Sequence, residues 1–463
     1  MADLSIDFCG IKCLNPFWLA SAPPTNTGAQ VMRAFDAGWG GAVWKTLGDP
    51  ITNVSSRFGG VDYANTRLMG LNNIELITDR PLEVNLKEIY EAKKRYPRHV
   101  IIASLMVETR ENWRELIRKA EDAGADGLEL NFGCPHGMCE RGMGSAVGQE
   151  PKVLEEITRW VVEDAKTPVI VKLTPNTGDI NEPAEAASRG GAHAISLINT
   201  IKSIVGVDLD RMVPQPRVGS RSTNGGYCGP AVKPIALHML SQVAKNSVVG
   251  GRALSGIGGI SNWRDAAEFI ALGATSVQVC TAVMHHGYRI VEDMAEGLSD
   301  FLDGKGMKSV NELRGRALGA YVEWGDLDLD YNIKARINAD SCIGCNACVV
   351  ACMDGAHQCI HVPGRTREQS FRAGHLHVPD VIPAVPVKAA DGAGRHVPFV
   401  DTHECVGCNL CALVCPVPGT ITMEEVPGPI GKPETWAQRM TEGRDINPGS
   451  LESTLARRRG AGR

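Results

Sequence analysis

The residues with the plainest chemistry are cysteines. CIGCNACVVAC places Cys342, Cys345, Cys348 and Cys352 in the spacing CxxCxxCxxxC, and CVGCNLCALVCP repeats it with Cys405, Cys408, Cys411 and Cys415 before Pro416. Three closely spaced thiolates wrap one iron–sulfur cubane while the fourth, a helical turn further on, reaches its neighbour. The spacing therefore implies two [4Fe-4S] clusters. One ligand set is Cys342, Cys345 and Cys348 with Cys415; the other is Cys405, Cys408 and Cys411 with Cys352. Two CxxC pairs alone would suit a structural zinc, but eight thiolates in two matching runs do not. Met353 stands where the first run often has proline, and touches no ligand. Cys359 is expected to be a buried spectator, because both ligand sets are already complete.

A different cysteine lies in ELNFGCPHGMCERGMG, residues 129 to 144. An apolar segment ends at Asn131, and Cys134 follows in a loop rich in proline and glycine. Other apolar segments end on polar or small residues in the same way: Lys45 and Thr46, Lys172, Asn199 and Thr200, Gly258 and Gly259, Cys280 and Thr281. Any one of these alone is weak evidence, since a lysine ending a strand is usually just solvated. Together they require an architecture that brings several strand ends to one place.

The elements that could do so repeat from residue 15 to about 305. Each unit is a short β-branched segment, a polar or glycine loop, and a longer stretch with helical spacing. The short segments are NPFWLAS, GGAVWKT, HVIIASLM, GLELNF, PVIVKLT, AHAISLINT, RALSGIGG and TSVQVCTA. Eight such units fit an α/β fold of the (β/α)8 TIM-barrel type better than a doubly wound sheet, and barrel chemistry sits at the carboxyl ends of the strands. Glycines after the seventh strand and small residues after the eighth suit a phosphate. SGIGGIS lacks the GxGxxG spacing of a dinucleotide site, and no other segment supplies it. Clusters pass single electrons whereas most organic substrates change by two, a mismatch that flavin mononucleotide (FMN) bridges. Lys172 is then the expected cation for negative charge at N1 and O2 of the reduced ring.

The chain has 463 residues, 43% of them apolar, with a net charge of -5 and 15 cysteines. The charge offers no footing for nucleic acid, and the Arg457–Arg459 run reads as a solvated tail. There is no charged leader and no apolar run near the roughly 20 residues of a membrane span. Cysteines without a secretory signal point to metal ligation and a cytoplasmic protein. The expected organisation is a barrel over 1–310, a linker over 311–332, a small α+β ferredoxin-like domain over 333–425 and a polar tail over 426–463. The long segment between the cysteine runs, roughly 360 to 400, is expected to form a hairpin that packs on a partner.

NPFWLASAP, AGWGGAVWKT, NNIELIT, ELNFGCPHGMCERGMG, KLTPN, INT, GGYCGPAVKPIAL, SGIGGI and VQVCTA, followed by the paired cysteine runs, resemble the dihydropyrimidine dehydrogenase family over about residues 4 to 425. The resemblance implies FMN contacts at Ser21, Lys45, Thr46, Lys172, Gly229, Gly258, Gly259, Cys280 and Thr281. It implies substrate contacts at Asn73, Asn131, Gly133, Asn199 and Thr200, whose amides suit the alternating N–H and C=O edge of uracil or thymine. Gly133 departs from the serine expected there. Cys134 becomes the candidate general acid that protonates C5 after hydride reaches C6; an unperturbed thiol, with a pKa of about 8.5, keeps its proton at neutral pH. His136 is expected either to shape the substrate loop or to relay protons, and glycines 137, 142, 144 and 148 suggest a loop that closes over substrate. The absence of a nicotinamide motif implies an FAD- and NAD(P)H-binding partner subunit and a hetero-oligomer. The rivals are a dihydroorotate dehydrogenase and a non-catalytic electron-relay subunit. Cys9 and Cys13 read as structural; Cys139 and Cys228 have no assignment.

Overall fold

The computed structural model describes residues 1–49, 51–63, 66–135, 137–362 and 396–443. The chain divides into two compact units, Met1–Tyr321 and Val322–Arg463. Among the described residues of the first, eight parallel strands close into a barrel: β1 Phe17–Leu19, β2 Gly41–Leu47, β3 Val100–Leu105, β4 Gly127–Asn131, β5 Val169–Lys172, β6 Ala194–Leu197, β7 Ala253–Ile257 and β8 Ser276–Val279. Each lies inside one of the apolar segments of the sequence, except that β2 runs one residue past GGAVWKT to Leu47. Almost every residue of these strands is buried, because parallel strands covered on both faces carry apolar runs instead of alternation. The ring closes where β8 pairs with β1 in the register Val277↔Phe17, Gln278↔Trp18 and Val279↔Leu19.

Outside the strands run α1 Gly28–Ala37, α2 Leu82–Arg95, α3 Arg110–Asp122, α4 Pro151–Asp164, α5 Asn181–Arg189, α6 Lys233–Lys245, α7 Trp263–Ala271 and α8 Ile290–Gly304. Helix α3 shows why they form. The Thr109 hydroxyl accepts the Asn112 N–H at 3.2 Å and caps the first turn. Trp113, Leu116, Ile117 and Ala120 then recur on one buried face. Trp113 meets Phe132, just past β4, edge-on at 6.3 Å, so the helix is locked beside the strand end that carries Asn131. Burying side chains of that size is worth about 1.5–3 kcal/mol each.

Two insertions leave the repeat. Phe58–Tyr63 and Thr66–Asn73 lie between β2 and α2; Ile201–Ser203 and Gly225–Cys228 lie between β6 and α6. They combine into a four-stranded antiparallel sheet, with Gly226 opposite Asn73 and Cys228 opposite Leu71. Sequence reading did not foresee this sheet, because its strands come from two distant loops and no local turn signal joins them.

The barrel unit extends through Tyr321, with short 3-10 turns at Val310–Glu312 and Leu318–Ala320 where the sequence suggested a linker. In the second unit Asn332–Ile337 pairs antiparallel with Ile421–Val426. Ile360–His361 pairs with Phe399–Val400, so the ends of the long insertion meet; residues 363–395 lie outside the described residues. Part of the expected tail is folded: a capping box at Thr435 starts the helix Trp436–Thr441, and Trp436 packs edge-on against Trp324. Residues 444–463, with the arginine run, lie outside the description. No helix among the described residues is long and apolar enough to cross a membrane.

Candidate active site

The carboxyl ends of the barrel strands open into a cleft of about 1140 Å³, its mouth included. Ser21 enters it from beyond β1, Lys45 and Thr46 from β2, Asn131 and Lys172 from β4 and β5, and Asn199 and Thr200 from beyond β6. Gly258 and Gly259 follow β7, and Cys280 and Thr281 follow β8. The antiparallel sheet forms another wall and contributes Asn73, with Gly229 just after it. Cys134 lines the cleft from the loop after β4. Gly133 lies behind the lining: its N–H donates to Asn131 Oδ1 at 3.3 Å, and a Cβ there would fall 2.4 Å from Asn199 Cβ. His136 lies outside the described residues.

The amides are held by a chain of hydrogen bonds. Thr46 Oγ1 lies 3.1 Å from Ser21 Oγ and 2.9 Å from the buried Ser104 Oγ. Asn131 Nδ2 donates to Thr46 Oγ1 at 2.9 Å, and Asn199 Nδ2 donates to Asn131 Oδ1 at 3.1 Å. The Thr200 N–H donates to Asn199 Oδ1 at 2.8 Å, and Asn73 Nδ2 donates to the Gly226 carbonyl at 3.2 Å. This chain orients each amide, and Asn131 and Asn199 each retain one side-chain N–H.

Charge is concentrated in the same cleft. Lys45 and Lys172 are 4% and 5% exposed. Lys45 Nζ is 3.0 Å from Glu75, which also receives Arg57 at 2.7 Å. Lys172 Nζ is 3.6 Å from the fully buried Glu129, whose Oε2 accepts Ser196 Oγ at 2.9 Å and Gln278 Nε2 at 3.0 Å. Sequence reading missed Glu75, Glu129 and Gln278. The signal for Glu129 was there: a carboxylate in the middle of GLELN, a strand otherwise apolar until its end. Buried pairs of this kind add little net stability, but removing one partner strands a charge at about 3–5 kcal/mol. In the same cleft, burial pushes the Cys228 thiol up to about 11 and Cys280 up to about 12. Both are neutral at physiological pH. Thr281 donates to Cys228 Sγ at 3.3 Å and Cys228 donates to the Leu71 carbonyl at 3.2 Å, which gives Cys228 a place in the wall.

Cys134 is 8% exposed and shares an apolar cluster with Ile77, Met106, Met138 and Met143. Its loop folds back on itself: the Ser145 N–H donates to the Cys134 carbonyl at 3.0 Å, and Met143 N–H to Met138 O at 3.2 Å. Gly137, Gly142 and Gly144 have φ of 64°, 77° and 59°. These glycines serve tight turns that L side chains rarely adopt.

In the second unit the eight cysteines separate into two groups. One cavity of about 330 Å³ is lined by Cys342, Cys345, Cys348 and Cys415; another of about 320 Å³ by Cys352, Cys405, Cys408 and Cys411, with Cys359 beside them. The loops have one conformation used twice. Gly344 and Asn346 have φ of 71° and 60°, and Gly407 and Asn409 have φ of 71° and 66°. Glycine and asparagine are the residues that enter this left-handed region readily, and each loop thereby curls its first three cysteines around a cavity. Four soft sulfur donors on each cavity fit an iron–sulfur cluster.

Away from the sites, Cys9 donates to the His193 carbonyl at 3.2 Å and Cys13 to the Ile11 carbonyl at 3.3 Å, both within the packing around the barrel. The Cys139 side chain is outside the description.

Residues 3–302 match the family profile described as dihydroorotate dehydrogenase, and residues 341–419 match the one described as a 4Fe-4S dicluster domain. The chain is 46% identical over 366 residues to the NAD-dependent dihydropyrimidine dehydrogenase subunit PreA of Escherichia coli strain K12, a match covering 79% of this chain and 89% of that one. It is 44% identical to the chloroplastic dihydropyrimidine dehydrogenase (NADP(+)) of Arabidopsis thaliana, across 70% of this chain and 79% of the plant protein. A catalytic subunit of dihydroorotate dehydrogenase B (NAD(+)) from Pyrococcus horikoshii is 35% identical, across 68% of this chain and 98% of its own. Barrel, cleft and paired cysteine loops thus come together in one lineage: the chain is an oxidoreductase of the dihydropyrimidine dehydrogenase family.

Proposed function

We propose that this chain reduces the C5=C6 double bond of uracil or thymine, reversibly, in a cleft that holds FMN, with two [4Fe-4S] clusters carrying electrons from an FAD- and NAD(P)H-binding partner subunit. The observation that carries the reading is the convergence on one cleft of a thiol, three asparagine amides and two buried lysines. The cleft fits a phosphate-bearing flavin by its donors. Lys45 and Lys172 supply positive charge, and Gly229, Gly258 and Gly259 leave main chain at the rim where a phosphate needs it. When bound, FMN supplies hydride at C6 and exchanges single electrons with the clusters.

The protein's own residues do the rest. Asn73, Asn131, Asn199 and Thr200 read the alternating donor and acceptor edge of the pyrimidine; hydrogen bonds among the last three, and from Asn73 to the Gly226 carbonyl, hold those groups in place beforehand. Lys172, kept near the ring by Glu129, offers a cation to negative charge that develops there. Cys134 delivers its Sγ proton to C5 as the new C6–H bond forms. Packing against Ile77, Met106, Met138 and Met143 holds the thiol on the cleft wall for this transfer.

Anaerobic titration of the purified chain tests this, with flavin and iron–sulfur spectra followed together. Dihydrouracil or dihydrothymine is expected to bleach the flavin and dihydroorotate is not. The reverse preference would assign the chain to dihydroorotate chemistry, as in the Pyrococcus relative. Flavin absorbance missing from the purified chain would leave an electron-relay role. Cys134→Ala should retain the flavin spectrum and lose nearly all turnover; undiminished activity in that variant rules the thiol out as the proton donor.

A further inference from the structure

The second cluster cavity has a feature that the first does not share among the described residues: a fifth cysteine. Cys359 is 4% exposed and lines the cavity with Cys352, Cys405, Cys408 and Cys411, whereas the cysteines on the other cavity are its four expected ligands. Its sulfur lies 3.5 Å from Cys352 Sγ, and its main-chain N–H points to the same sulfur at 3.3 Å. The chain is built to return there. After the helix Ala347–Met353 ends, Gln358 takes a left-handed turn with φ of 61° and its N–H donates to the Cys352 carbonyl at 3.0 Å. Cys359 O then accepts the Asp401 N–H at 2.7 Å, and the next residue joins the ladder to Val400. Both hydrogen-bonding ends of Cys359 are thereby fixed in place.

We propose that Cys359 is a positioning residue for the second cluster. It donates S–H and N–H hydrogen bonds to the ligand sulfur of Cys352 and raises the reduction potential of the cluster held by Cys352, Cys405, Cys408 and Cys411. The inference rests on the assignment of those four residues as ligands. When Cys352 gives its proton up to bind iron, its sulfur can only accept, so the shared hydrogen between the two sulfurs belongs to Cys359. Reduction adds negative charge to the cluster and its sulfurs, and donors aimed at a ligand sulfur stabilise that charge. Apart from His357 and Asn409, the other side chains around the cavity, Ala335, Leu410 and Met423 among them, are apolar, which limits screening of the effect. Two clusters with matching ligand spacing thus acquire different potentials from one residue outside both motifs.

The test uses the full chain, purified anaerobically, as wild type, Cys359→Ala and Cys359→Ser. Iron and acid-labile sulfide are counted first, and each midpoint potential is then measured by a redox titration followed by electron paramagnetic resonance. All three proteins are expected to hold about eight irons. In Cys359→Ala one midpoint should fall while the other stays. At a fixed potential the reduced-to-oxidised ratio of that cluster should drop about threefold, equivalent to about 28 mV for a one-electron couple. Cys359→Ser keeps a donor and should recover part of the shift. Two unchanged midpoints in Cys359→Ala would overturn the proposal. Loss of half the iron in that variant would overturn it differently, by making Cys359 a ligand. A wild-type chain short of iron would instead remove the ligand assignment on which the inference stands.

Discussion

Position 133 limits how closely Asn199 can approach Asn131. With glycine there, Asn199 packs against bare main chain and its amide donates to Asn131; any Cβ would fall 2.4 Å from the Asn199 Cβ and Nδ2. Gly133→Ala should therefore push Asn199 aside without disturbing the barrel. Displacements of about 1 Å at such a site cost on the order of 10²-fold in rate. Steady-state kinetics with uracil should show that fall in kcat/KM, with an unchanged flavin spectrum and thermal midpoint. A variant as active as wild type would mean that Asn199 does not touch the substrate. A serine at this position would need space that the Asn199 amide occupies in this chain.

At the scale of elements, the rim depends on how α1 and α2 are tied together. Glu88 on α2 accepts the Gly28 N–H at the start of α1 at 2.7 Å and two N–H groups of Arg80 at 2.6 and 2.8 Å, while Arg80 also holds the Asn26 carbonyl at 2.7 Å. The Arg80 guanidinium, with the Gly28 N–H, holds the Glu88 carboxyl below its usual value of 4.5. A depressed folded-state pKa means that this stability is fully present above pH 4.5 and is lost as the pH falls through the lower folded value. Glu88→Gln should cost about 1–2 kcal/mol at neutral pH, allowing for partial exposure of the pair. Urea midpoints measured from pH 7 downward should converge for the two proteins below about pH 4.5. A gap that does not narrow at all as the pH falls below 4.5 would show that the carboxylate's charge is not its cause.

For the whole molecule, the two units differ in what holds them together. The barrel core runs from Ile6 to Leu313 and is made of ordinary apolar side chains. The second unit's core includes Cys348, Cys352, Cys405 and Cys411 beside Ala335, Ile360 and Ile421, so its packing is shared with the cysteines proposed as iron ligands. Structural metal sites of this kind supply folding free energy directly. Stripping iron with a chelator after oxidation should abolish one thermal transition in calorimetry and leave a second, with the flavin still bound; simultaneous loss of both would show that the barrel depends on the clusters. The intact chain by itself should not oxidise NAD(P)H, and activity should appear when an FAD-containing subunit is added. Full-rate NADH-dependent reduction of uracil by the chain alone would dispense with that partner.

The sequence by itself determined the paired cysteine loops and the barrel. Ligand spacing is a local property, repeated down to the glycine and asparagine that curl each cysteine loop, and eight apolar runs separated by helical spacing admit few closed arrangements. The polar ends of those runs, from Lys45 to Thr281, were legible for the same reason: in a parallel barrel every strand points its carboxyl end to one face. Tertiary structure decided what depends on distant segments meeting. The four-stranded sheet that carries Asn73 joins two loops with no shared local signal, and Glu75 acquires its role only when it reaches Lys45. Glu129 was visible as an oddity in GLELN, but only the closed barrel sets it against Lys172 and Gln278. Cys359 looked like a spare thiol because spacing counts cysteines and cannot show that its sulfur lies 3.5 Å from that of Cys352. Periodicity and spacing act along the chain; burial, charge pairing and sulfur contacts act across it.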